Sequence, residues 1–293
     1  MHGADDLLGV GGFRFGREPV WQPLLASLGI TAFAYAGGTY RTGQGLSPDG
    51  DYYLRAASGQ PVPAPYNRRL LPRLVGQRRV TWQIVSTLAL LLTGPLVWLY
   101  THSLAAVWLF AFLPMFHLNV RLPVLVDASG FALALGSALL WSAGQPLLAI
   151  GCAILAGGCK ETAPVFAAVF AWSPWLLIGW ALPLVFWRWR RAAPDQPWLE
   201  RPFQLARKTR DPLDWRRVAL PWGLCPLLLV WGNALAISAL ALGYAQLAAA
   251  QDDSRLYQWS APALLALTPF APHWLVVSMC IVQPFIVSAH RGT

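Results

Sequence analysis

Two carboxylates two residues apart, Asp49-Gly50-Asp51, open the stretch of this chain best equipped for chemistry. Either could take a proton from a hydroxyl as a general base. The same D-x-D spacing lets carboxylate oxygens hold a divalent metal, the one cofactor this stretch suggests. A plainer role also fits: Asp49 caps a short helix from Asp51 to Ser58 that Gly59 terminates. Tyr52 and Tyr53 follow the acids directly, and the polar interval from Gly38 to Arg79 holds seven arginines. Within it Leu70, Leu71, Leu74 and Val75 fall on one side of a helical wheel, and Arg68, Arg69 and Arg73 on the other. That pattern predicts a helix lying along an interface with its guanidinium groups at phosphate depth. One or two of them could grip a lipid phosphate bidentately; snorkelling to head groups is the simpler alternative.

Charges beyond that interval are few. Lys160-Glu161 interrupts an apolar run, either as a mutual ion pair or as a functional one. Arg121 with Asp127 poses the same choice, and Arg255 after Asp252-Asp253 reads as a surface salt bridge or a site cation. His102, His117 and His273 share no metal-ligand spacing. Cys152, Cys159, Cys225 and Cys280 lie in or beside apolar segments without a CxxC pattern, which suits packing thiols.

The elements that must position these groups are apolar throughout. Of 293 residues, 56% are hydrophobic and 12% charged, about half the roughly 25% charge of a soluble domain. This composition predicts an all-α, polytopic transmembrane helix bundle in which residues 1–293 form one domain. Its spans are Trp21–Ala36, Thr81–Tyr100, Leu104–Leu118, Phe131–Ser142, Pro146–Gly157, Ala163–Trp187, Val218–Leu247 and Ser260–Ala289, eight in all. If Ala128 to Gly158 is a re-entrant pair, six spans remain. The first twenty residues show no cleavable signal pattern. The nine basic residues of 188–217 lie close to span ends and predict a cytoplasmic loop. Counting back puts 38–80 outside as a structured periplasmic loop, with both termini cytoplasmic. Arginine-rich, lysine-poor usage suits a bacterial inner membrane, and a net charge of +9 suits anionic or phosphate-bearing lipids. Nothing in the chain suggests nucleic acid.

Asp49 to Gly59 resembles the first outer-loop motif of GT-C superfamily glycosyltransferases: an acid, aromatics three and four later, then a small-residue helix ending in Gly. Tyr66-Asn67-Arg68-Arg69-Leu70-Leu71-Pro72 resembles the aromatic-Arg-Leu-Pro stretch that follows it. Lys160-Glu161-Thr162 and Asp253-Ser254-Arg255-Leu256 are similar to later outer-face motifs of bacterial members. The resemblance covers the first eighty residues well and the rest through topology. It implies sugar transfer from a polyprenyl-phosphate donor at the outer face. The family's acid, catalytic base or acceptor-positioning residue, falls on Asp49, with Asp51 beside it. Arg68, Arg69, Lys160 and Arg255 would stabilise the leaving phosphate, with Tyr53 and Glu161 in the same site. The chain departs from the family in its short length and in Gln60, which stands where an aromatic is usual. Two other classes therefore stay open. One is a non-catalytic membrane subunit of this fold that anchors protein partners. The other is a transporter of a phosphate-bearing lipid, against which the charges gather at span ends.

Overall fold

A computed structural model describes residues 21–37, 48–62, 66–113, 122, 124–181, 222–247 and 257–290. Every regular element among them is helical. In chain order the first are α1 (Trp21–Gly37), α2 (Pro48–Ala57), α3 (Leu71–Val75) and α4 (Arg79–Thr101). Of these α4 is the frame. Its 23 residues hold no acid and span about 34 Å at ~1.5 Å per residue. Among the described residues it is the one helix long and apolar enough to cross a membrane. It ends where His102 turns left-handed (φ 50°), its N–H on the Trp98 carbonyl at 2.7 Å.

Pro95 lies inside α4 and offers no N–H to the Leu91 carbonyl four residues earlier. The Ser27 hydroxyl of α1 donates to that carbonyl instead. The helices can approach there because Gly94 lacks a side chain; a Cβ built on it would lie 2.8 Å from Ser27 Cβ.

Ser103 then caps α5 (Leu104–Ala111), its hydroxyl accepting from the Ala106 N–H at 3.2 Å, and the chain doubles back. Next comes a hairpin of α6 (Asp127–Ser142) and α7 (Pro146–Cys159). Its turn needs the positive φ of Gly144, and buried Ala134, Ala138, Ala149 and Ala153 let its arms pack closely. The remaining elements are α8 (Ala163–Phe170), α9 (Ala234–Leu247), α10 (Ala261–Leu265), α11 (His273–His290) and 3-10 helices at Tyr66–Arg68, Pro174–Trp180, Cys225–Trp231, Tyr257–Ser260 and Thr268–Phe270.

Three expected spans are broken. Ala163–Trp187 does not continue past Phe170: Trp172 takes a φ of 51°, Pro174 follows, and the second arm returns along the first. Trp180 thus comes back to Glu161, its indole N–H on the Glu161 carbonyl at 2.6 Å. That return needs bare backbone, since a Cβ on Gly157 would sit 2.1 Å from the Gly179 oxygen. Val218–Leu247 is split at Gly232, after which Asn233 caps α9 through the Ala236 N–H at 2.9 Å. Ser260–Ala289 is split at Ala271-Pro272, because proline there leaves no donor to continue the preceding turn. Residues 38–47 of the first loop, Arg121, the basic interval 188–217 and Arg255 lie outside the described residues.

α4 presents an apolar stripe outward and buries three hydroxyls among apolar neighbours. Val80, Ile84, Leu88 and Leu92, four residues apart, are 54–64% exposed. Ser86, Thr93 and Thr101 face inward, and the two threonine hydroxyls donate to the Ala89 and Val97 carbonyls at 2.8 Å.

Candidate functional site

The helix of the first loop starts earlier than its sequence suggests. It begins at Pro48, so Asp49 and Asp51 both stand in its first turn and Asp49 is not its cap. Its end is as expected: Gly59 has φ 79°, its N–H reaches Ala56 O at 3.1 Å, and Gln60 N–H reaches Arg55 O at 3.0 Å. Residues two apart on a helix point to different sides. Asp51 is exposed, while Asp49 is half-buried and accepts a 2.5 Å hydrogen bond from the Tyr66 phenol. The two acids therefore do not converge on one cation. Among the described residues no group of three or more His, Cys, Asp or Glu gathers to hold a metal.

Tyr66 belongs to an aromatic stack. It lies 4.7 Å from Tyr52, ring on ring, and meets Tyr53 edge-on at 5.4 Å. Tyr53 in turn stacks on Trp82 of α4 at 6.0 Å, over a floor of Val124, Leu125 and Val126. The Trp82 indole donates to the Gly76 carbonyl at 2.8 Å, tying the end of the loop to the start of α4.

Arg69 turns inward instead of facing an interface. Its Nε and Nη2 donate to the two Glu161 oxygens at 3.0 and 2.8 Å, and Nη1 donates to the Tyr53 hydroxyl. The guanidinium also lies 5.5 Å over both the Tyr53 and Tyr66 rings. Neighbouring α3 is five residues long; Leu74 is exposed while Leu71 and Val75 pack on the aromatic cluster. What draws this segment in is backbone: Leu70 N–H donates to the Gly158 carbonyl at 2.6 Å.

Lys160 and Glu161 do not pair with each other. Lys160 is extended (φ −151°, ψ 130°), and extended backbone sends successive side chains to opposite sides. Glu161 goes to Arg69, while Lys160 goes down to Asp127 at the start of α6, both of that pair buried. The Lys160 ammonium also lies 5.1 Å over the Trp259 ring. Asn67 Oδ1 and Thr162 Oγ1, near these pairs in sequence, and Trp259 Nε1, whose ring lies under Lys160, are buried with no hydrogen-bond partner among the described residues.

Charge states follow from the contacts. Burial alone would push the Glu161 carboxyl up, but the charge and hydrogen bonds of Arg69 outweigh it and hold the group below the usual carboxylate range. Burial pushes the Tyr53 phenol well up, with Arg69 offsetting only part of this, so it keeps its proton near neutral pH. A pH dependence results. Because the Glu161 pKa is lowered on folding, its stabilisation is complete above the ordinary carboxylate value of about 4.3 and fades as pH falls through the lower folded value. Melting of wild type and Glu161→Gln should therefore differ at neutral pH and converge in acid. A constant difference across that range would contradict the lowered pKa.

The structure thus joins Tyr53, Arg69 and Glu161 directly and brings in Asp49 through Tyr66. Lys160 stands in an adjacent buried pair, and Asp51 stays outside both. Arg68 is placed only by its backbone in the turn Tyr66–Arg68; its side chain, like all of Arg255, lies outside the described residues. Sequence reasoning matched Asp127 with Arg121, which lies outside the described residues, and not with Lys160, and it assigned no role to Tyr66 or Trp259. One signal was present for Asp127, which like Lys160 is a charge in apolar surroundings, where opposite charges seek each other. Compared with family models, curated proteins and solved structures, the chain matches none.

Proposed function

We propose that this chain is a polytopic protein of the bacterial inner membrane and a GT-C-type glycosyltransferase. It would move a sugar from a polyprenyl-phosphate donor at the outer face. The observation that carries this reading is the gathering of an acid, two tyrosines and a buried arginine paired with a half-buried glutamate, from segments 92 residues apart. Asp49 is the base; Tyr66 holds its carboxylate, and Arg69, clamped by Glu161, holds both tyrosines in place. With Arg69 and Lys160 each matched to a carboxylate, contact with the leaving phosphate falls to Arg68 and Arg255. The exposed apolar stripe of Val80, Ile84, Leu88 and Leu92 on α4 supports the membrane setting.

A second reading has its own support. Two cations already neutralised inside the protein are what a non-catalytic anchoring subunit of this fold would also need. Sugar transfer by the purified protein from a defined polyprenyl-phosphate donor separates the two, since an anchor has no turnover.

Orientation is tested by itself. A cysteine at Gln60, exposed beside the site, should react with a membrane-impermeant maleimide from outside. One at Gln145, exposed at the α6–α7 turn, should react only after permeabilisation. The reverse pattern would place the site in the cytoplasm and remove the periplasmic reading.

A further inference from the structure

The folded-back arms between Ala163 and Trp180 bear on how the chain crosses a membrane. The first arm, α8, leaves the Arg69–Glu161 site and heads for the far end of α4, where the Tyr100 hydroxyl donates to the Phe170 carbonyl at 3.3 Å. The bend follows, with the Ser173 N–H on the Ala168 carbonyl at 2.9 Å. The second arm then climbs back beside the first. Gly179 ends level with the start of α8, where a Cβ built on it would lie 2.9 Å from Pro164 Cβ, and the Trp180 indole reaches the Glu161 carbonyl. Trp175 and Ile178 of that arm face outward while Leu176 and Gly179 are buried, the division that a hairpin packed on protein and facing lipid needs. Seven residue steps separate Ala181 from Arg188, where the basic interval begins. They reach about 10 Å as helix and at most about 25 Å fully extended, short of a ~30 Å hydrocarbon core.

The last helix runs the same way. α11 starts at His273, shortly after Thr268, whose hydroxyl lies 2.8 Å from that of Ser103 beyond the far end of α4. Seven residues on, the Cys280 carbonyl accepts from the Trp108 indole of α5. α5 itself leads back toward the site, since Phe110 stacks on Phe131, one turn past Asp127. Ten more residues, roughly 15 Å of helix, carry α11 onward in that direction to His290.

We propose that Ala163–Trp180 is a re-entrant hairpin that enters and leaves the bilayer at the Asp49 face, so that the basic interval after Ala181 and the end of α11 lie on that face too. A cytoplasmic basic interval and a periplasmic Asp49 loop, both expected from the sequence, then exclude each other: a periplasmic site takes the interval outside with it. The inference rests on the membrane setting proposed above but not on the transfer chemistry, whose failure would leave the sidedness unchanged.

Membrane-impermeant maleimide applied to sealed vesicles of either orientation, with label counted by intact mass of the full chain, tests it. Single added cysteines, Gln196→Cys and Gln204→Cys in the basic interval and Thr293→Cys at the end, are compared with the chain lacking them. All three should take at least tenfold more label from the side that labels Gln60→Cys, and Gln145→Cys should label from the opposite side. The comparison is between positions, so it reads the same whichever compartment the site meets. If Gln196→Cys and Gln204→Cys label together with Gln145→Cys, the chain crosses after Glu161 and the hairpin is overturned. Thr293→Cys labelling with Gln145→Cys would overturn the course given to α11. Labelling of every position from one side would remove the membrane setting, and the hairpin with it.

Discussion

Asp49→Asn is expected to leave the protein folded and to lower sugar transfer by about two to four orders of magnitude, the usual contribution of a general base. Asn keeps the size of the side chain and an oxygen that can still accept from the Tyr66 phenol. Because α2 starts at Pro48, no helix cap is lost either. What disappears is the negative charge and the capacity to take a proton. Tyr66→Phe should act more mildly, keeping the stack on Tyr52 while loosening the carboxylate. Asp51→Asn should stay near wild type, since that side chain is exposed. The assay is transfer by purified protein in detergent from a defined lipid-linked donor, with thermal melting in parallel. Full activity in a folded Asp49→Asn would sink the catalytic assignment and put the anchoring subunit first.

The largest loss of stability should come from Lys160→Ala. Lys160 is 6% exposed and Asp127 2%, so removing the ammonium takes from a buried carboxylate its ion pair with Lys160. Breaking such a pair costs about 3–5 kcal/mol. The Trp259 face beneath Lys160 loses its cation too, worth up to ~2 kcal/mol when desolvated. Replacing both partners, as in Asp127→Leu with Lys160→Met, should recover most of the loss, because two apolar side chains need no desolvation offset. A double-mutant cycle in chemical denaturation measures this directly. If Lys160→Ala melts like wild type yet binds a polyprenyl-phosphate ligand more weakly, Lys160 is a phosphate ligand after all and the pair with Asp127 is dispensable.

Local chemistry was legible where a single residue type decides it. Gly59 had to end a helix because only glycine takes its φ cheaply, and the length of α4 could be read from the uncharged, mainly apolar run that follows Arg79. Asp49 and Tyr53 could be singled out by type and spacing. Their partners could not, because partner choice depends on how distant segments dock. Whether Lys160 meets Glu161 or Asp127 turns on one extended residue, and nothing in the letters around Lys160 announces that conformation. Arg69 is one of three arginines between positions 68 and 73; a backbone bond from Leu70 to Gly158, 88 residues on, selects it for burial. The return of the chain at Trp172 was hidden for a different reason. An apolar run of that length fits a straight crossing as well as two arms folded on each other, and a tryptophan at positive φ carries no sequence signature.

The hydroxyl that Ser27 lends to the Leu91 carbonyl has a consequence for the distant acid. It pins α1 against α4 at a proline-opened rung of the ladder, and those two helices hold the two ends of the stretch that carries α2 and α3. That stretch is therefore a tethered ring whose closure is already made before any substrate arrives. Slack between α1 and α4 would return conformational entropy to every residue in the ring. Asp49 keeps its aim partly because a serine some twenty residues before it keeps two helices from sliding.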